Sequence, residues 1–259
     1  PDRLAHMFWR FTEPNHPANK GEDVSRYAKV IEEHYRECDE IVGEAMKRAD
    51  PETLFIVLSD HGMNSFQRGL NLNTWLHDND FLALKSGFKP GESGDFFQNV
   101  DWDKTKAFSL GLGCIFLNRK GREANGIVTD GEMESVREGI VKGLTGLVDS
   151  DRGAVAVRTV ARSEEVYRGP YASEAPDLIV NFSEGYRVSW DTPLGGVPRG
   201  LFADNTKKWG GDHVIDPALA SGILFMNKKF SAESPGLMDL APTILNALGV
   251  AKGDAMEGS

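Results

Sequence analysis

Cysteine is scarce in this chain: Cys38 and Cys114 are its two thiols, far apart in the sequence. That excludes a disulfide scaffold and a thiolate metal site, and it suits a reducing, cytoplasmic compartment. No apolar run approaches the ~20 residues that a membrane-spanning helix needs, so no membrane partner is expected. Basic residues are outnumbered, 29 Lys and Arg against 39 Asp and Glu, which leaves a net charge of −10. A surface of that sign disfavours a nucleic acid polymer as partner. A small phosphorylated substrate stays admissible if bound cations invert the local potential. Internal repeats and low-complexity linkers are also missing, so the 259 residues read as one domain.

What is present has the balance of an ordinary globular protein, 40% hydrophobic and 26% charged. From Asp23 to Arg48 apolar residues recur at helical spacing, and Asp50-Pro51 ends the pattern. Leu54–Leu58 is a continuous apolar run of strand length, the signature of a central parallel strand covered on both faces. Asn73 to Leu84 reads as a short helix, and Lys85 to Asp103 as the irregular core of an excursion (64–106) near the site entrance. Ala107 to Leu117 is a strand broken by glycines, and Glu132 to Leu147 a helix. Ala154–Val160, Asp177–Phe182 and Ala220–Met226 are further strands; Leu237–Leu248 is the closing helix, with Gly249 as its cap. Strands alternating with helices predict an α/β fold, a layered αβα sandwich with a mostly parallel central sheet.

The chemistry concentrates in three places. Asp2 and His6 stand four apart, which puts a carboxylate and an imidazole on one face of a helical turn. Asp60-His61-Gly62 follows the apolar run, at the strand end where open α/β sheets collect catalytic groups. Asp212-His213 follows the glycine pair Gly210-Gly211. Taken together, Asp2, His6, Asp60, His61 and His213 are candidate metal ligands. Carboxylates and imidazoles without a thiolate suit zinc, with manganese or iron behind it. Two such ions ~4 Å apart can hold a phosphoryl group between them. Of the other histidines, His16 in Pro14-Asn15-His16-Pro17 is read as a loop residue, and His34 and His77 as helical surface residues. Arg68, Arg199 and Lys207-Lys208 are read as solvated charge, and Trp75, Trp102 and Trp190 as core packing.

These motifs resemble the type I phosphodiesterase/nucleotide pyrophosphatase branch of the alkaline phosphatase superfamily. Asp2-x-x-x-His6 with Phe8-Trp9 is similar to its first metal motif, Ser59-Asp60-His61-Gly62-Met63 to its second, and Trp209–His213 supplies its last histidine. Asn71–Leu76, Glu165–Tyr171, Ala175–Val180 and Asp239–Leu245 resemble family segments as well. The resemblance implies an alkaline-phosphatase-like fold and a metal-dependent hydrolase of phosphodiester or nucleotide pyrophosphate bonds. It implies two divalent ions, zinc or manganese: Asp2, His6 and His213 on one, Asp60 and His61 on the other. The second ion would take a further aspartate, and the reaction a Thr or Ser nucleophile, from an N-terminal half that precedes Pro1. On that expectation the chain is the C-terminal part of a catalytic domain and has no turnover by itself. Sulfatases and phosphomutases of the same superfamily, or a non-catalytic metal-binding fragment, are the alternatives.

Overall fold

The computed structural model describes residues 1–258. In chain order the helices are α1 (Asp2–Phe8), α2 (Val30–Met46), α3 (Leu72–Asp78), α4 (Asp130–Leu144), α5 (Ser163–Val166) and α6 (Leu240–Ala247). The strands are β1 (Ile56–Leu58), β2 (Asn64–Leu70), β3 (Ala107–Leu110), β4 (Cys114–Leu117), β5 (Val148–Asp149), β6 (Ala154–Val155), β7 (Val157–Arg162), β8 (Leu178–Phe182), β9 (Gly185–Val188), β10 (Phe202–Asp204), β11 (Gly211–Asp212) and β12 (Leu224–Met226). Residues 1–31 and 63–220 form one compact unit, and residues 32–62 and 221–258 fall in a second, so one boundary lies within α2.

The first unit holds the core. Its strands β3, β4, β8 and β7 form one antiparallel sheet in that order. Gly111 and Gly113, at φ +75° and +97°, supply the left-handed backbone that lets β3 turn into β4. Helix α4 buries Val136, Ile140 and Leu144, four apart on one stripe. It starts two residues earlier than its apolar periodicity indicates, because Thr129 and Glu132 close a capping box around its first turn. Gly143 lets the helix approach the ring of Trp75: a Cβ there would stand 2.6 Å from Cζ2.

A second sheet is organised around β2. Strands β10 and β11 pair antiparallel with it, at Arg68–Leu70 and Asn64–Ser65 respectively, and β9 pairs parallel with it. This corrects the expected mostly parallel sheet: among the described strands, the β2–β9 ladder is the parallel pairing and the rest are antiparallel. An apolar run does not fix strand direction. It also corrects the 64–106 excursion, since β2 and α3 are buried core elements and the irregular path begins after them.

In the second unit β1 pairs antiparallel with β12, in the register Ile56↔Met226 to Leu58↔Leu224. The reading of Leu54–Leu58 as a parallel strand covered on both faces does not hold there, because Leu58 and Phe225 are exposed. Ser59 fastens the strand end: its N–H donates to Ile223 O (3.0 Å) and its Oγ accepts from Ile223 N–H (3.0 Å). Gly222 is required beside it, where a Cβ would lie 2.2 Å from Ser59 O.

Candidate metal centre

Helix α1 presents Asp2 and His6 one turn apart, as their spacing predicts, and β11 delivers His213 immediately after its last residue. One ligand atom from each of Asp2, His6 and His213 lies within 4.8 Å of the others. Asp2 Oδ1 stands 3.3 Å from His6 Nε2 and 3.7 Å from His213 Nε2. Residues from the two ends of the 2–213 stretch thus converge one carboxylate oxygen and two ring nitrogens.

His6 is held from three sides. Its Nδ1–H donates to Gly211 O at 2.6 Å, which fixes the tautomer with Nε2 unprotonated. Its backbone carbonyl accepts from Gly210 N–H at 2.9 Å. The indole of Trp209 stacks on its ring at 3.8 Å between centroids. The glycine pair is a spatial necessity: a Cβ on Gly211 would lie 2.7 Å from Trp9 Cβ, and one on Gly210 2.5 Å from Arg10 Cβ. Helix and strand meet backbone to backbone here, which any side chain would prevent.

Asp212, beside His213, faces inward and is not one of the group. Its Oδ1 accepts from the N–H groups of His213 and Val214, and its Oδ2 from Trp209 Nε1 at 2.9 Å. The guanidinium of Arg187 stands 3.3 Å from the same Oδ2, sandwiched over the rings of Phe66 and Trp190. Burial lowers the Arg187 pKa from its ordinary value, and the Asp212 carboxylate offsets this only in part. Asp212 therefore organises the loop that carries His213.

His16 is a further residue whose role the sequence does not reveal. It is buried, its Nδ1 accepts from Ala18 N–H, and its Nε2–H donates to the carbonyls of Phe66 (2.9 Å) and Gly210 (3.2 Å). It thus staples the loop after α1 to β2 and to the strand that brings His213. Desolvation lowers its pKa from the ordinary 6.5. A lowered histidine takes up its proton more readily unfolded than folded. Its stabilising contribution is therefore complete above about pH 6.5 and declines as pH falls from there toward the lowered native value. In urea titrations His16→Gln should be less stable than wild type by about 1–3 kcal/mol at pH 8, with the gap narrowing below pH 6.5. A gap that does not change with pH would contradict this.

Asp60 and His61 lie in the second unit, directly after β1. His61 Nε2 stands 3.7 Å from Asp60 Oδ2, and its Nδ1–H donates to Gly62 O at 2.8 Å, again turning Nε2 outward from the backbone. Of the residues read as solvated charge, Arg68 is buried and bonded to three aspartates, whereas Arg199 is exposed. Trp75 is core as expected, while Trp190 is partly exposed.

Residues 1–213 match the family model described as type I phosphodiesterase/nucleotide pyrophosphatase. The chain belongs to that family. The match ends on His213, so the family segment includes all three residues of the converged group and the Asp60-His61 turn. No curated protein gives a significant match. Among solved structures, murine ectonucleotide pyrophosphatase/phosphodiesterase 5 is similar, with 16% identity and a TM-score of 0.46. That alignment covers 100% of this chain and 54% of the murine one, so the chain spans about half the length of that structure. Among the described residues no helix is long and apolar enough to cross a membrane.

Proposed function

We propose that this phosphodiesterase-family chain contributes the metal centre of a phosphate-ester hydrolase acting on phosphodiester or nucleotide pyrophosphate bonds. The observation that carries the reading is the convergence of Asp2, His6 and His213. The donor set fits a divalent cation of the zinc type: one carboxylate oxygen, two imidazole nitrogens and no thiolate, with Nδ1 of His6 already committed to a backbone carbonyl. Asp60 and His61 would hold a second ion, zinc or manganese, completed by ligands outside these five residues. Bound cations would supply Lewis-acid stabilisation of the phosphoryl oxygens. The residues of the chain do the positioning. His6 is clamped by Gly210, Gly211 and Trp209, so its nitrogen needs no reorganisation to serve as ligand. Asp212 and Arg187 hold the loop that sets His213 opposite it. The substrate is a small phosphorylated molecule, consistent with a chain of net charge −10 that must draw its anion to a cation.

Hydrolysis of bis-p-nitrophenyl phosphate by the intact protein tests this, with p-nitrophenyl sulfate as the competing arm. The diester should be the better substrate, and His6→Ala should lower kcat/KM for it by about 100-fold or more. Preference for the sulfate ester, or full diester activity in His6→Ala, would contradict the reading.

A further inference from the structure

The end of the first sheet where β4 stops and β8 begins holds a cavity of about 300 Å³, ringed by Arg119, Arg122 and Arg137 around Asp177. Asp177 is 1% exposed and both its oxygens are engaged. Oδ2 accepts from Leu117 N–H (2.8 Å) and Arg122 Nη2 (2.6 Å), while Oδ1 stands 3.4 Å from Arg137 Nη2. Arg122 is further satisfied by Glu123 at 2.7 Å and by Leu117 O.

The other two guanidiniums are less fully engaged: Arg137 keeps one long hydrogen bond to Asp177, and Arg119 makes none. Arg119 approaches Asp177 no closer than 4.0 Å, and Arg137 stands 3.6 Å from Glu164. The Nε of Arg137 is buried with no acceptor. A buried donor left unmatched is costly. One buried carboxylate cannot saturate three forks of donors. The hydroxyl-bearing residues Ser163 and Tyr167 line the same cavity and add donors to its wall.

We propose that this cavity is a binding site for a phosphate-type oxyanion, inorganic phosphate or a small phosphate monoester. Guanidinium forks match phosphate oxygens in pairs, and a tetrahedral anion offers acceptors to Arg119, Arg137 and the wall hydroxyls at once. A planar carboxylate could not, and Asp177 already fills that role on the floor. The proposal stands on residues separate from the Asp2, His6 and His213 group and does not depend on it.

Calorimetric titration of the intact protein with inorganic phosphate, in a His213→Ala background with chelator present, isolates this cavity from the metal centre. One phosphate per chain should bind. Arg119→Gln should weaken it about tenfold or more, as loss of a charge-assisted hydrogen bond does. Arg119 is partly exposed and has no hydrogen bond from its guanidinium, so both this variant and Arg119→Glu should keep the fold, and Arg119→Glu should abolish binding. Absence of phosphate binding, or equal affinity in either variant, would overturn the assignment.

Discussion

Replacing Arg68 with alanine should lower the free energy of unfolding by about 3–5 kcal/mol. Arg68 leaves β2 into a buried position, where Nε donates to Asp149 Oδ2 at 2.6 Å and Nη2 to Asp149 Oδ1 at 3.3 Å. Nη2 also meets Asp151 at 2.5 Å and Nη1 meets Asp204 at 2.9 Å. The three carboxylates do not count equally. Asp151 and Asp204 are exposed enough for water to screen them, and pairs of that kind are worth ~0–1 kcal/mol each. Asp149 has no exposed surface, so without Arg68 its charge keeps only the Tyr186 hydroxyl and the Asp151 N–H. That stranded charge is the main cost. Burial pushes the Asp149 carboxyl upward, but the hydrogen bonds and charge of Arg68 outweigh it and hold the group below its ordinary 3.8. A carboxyl lowered in the folded state stabilises above its unfolded pKa. The contribution should therefore persist down to about pH 3.8 and vanish as pH falls through the lowered native value. The double variant Arg68→Met/Asp149→Leu should recover most of the loss, since an apolar pair strands no charge. Urea unfolding decides between these: a loss below 1 kcal/mol in Arg68→Ala would show that the network does not hold β2 in place.

The second large effect is expected at a residue with no side chain. Gly211→Ala keeps all five candidate ligands yet should weaken divalent-cation binding by about 10–100-fold. The new methyl would need the space of Trp9 Cβ at 2.7 Å and of Ala5 O at 3.0 Å. Neither can yield, because both belong to the α1 segment that presents Asp2 and His6. Strand β11 must retreat, and with it go the Gly211 carbonyl that fixes His6 and the chain that carries His213. Gly146→Ala is a suitable contrast, since that glycine has open space around it, although its φ of +76° makes the change cost some stability. Zinc titration against a chromogenic chelator measures both. Unchanged affinity in Gly211→Ala would mean that the clasp between α1 and β11 does not govern the ligands.

The readable parts of this fold are those where burial is apolar. Helix α4, strands β7 and β8, and the β3–β4 turn with its glycines lie within a few residues of where periodicity puts them. The sheet that carries the candidate site is not readable in this way. Strand β2 has the sequence Asn-Ser-Phe-Gln-Arg-Gly-Leu, which offers neither alternation nor an apolar run. It is a buried strand because distant partners satisfy its polar side chains. Glu13 accepts from Ser65 Oγ and Gln67 Nε2, and the aspartates receive Arg68. None of those pairings is local, so no sequence window contains them. Strands β9, β10 and β11 share that difficulty, being two to four residues long and held by β2.

The site divides along the same line. Asp2 and His6 are legible because helical spacing is local, and His213 because a tryptophan and a glycine pair precede it. The supports of the candidate ligands are not legible: His16, Arg187 and the inward turn of Asp212 act through residues up to 194 positions away. A histidine between two prolines reads as a loop tip, and only the carbonyls of Phe66 and Gly210 make it a staple.

On the proposed function, Asp2, His6 and His213 share a divalent cation. The most direct test is elemental analysis of the intact protein after zinc loading and exhaustive dialysis, in wild type and in His213→Ala. Wild type should retain one more zinc ion per chain than the variant. Equal zinc content in the two proteins would contradict it.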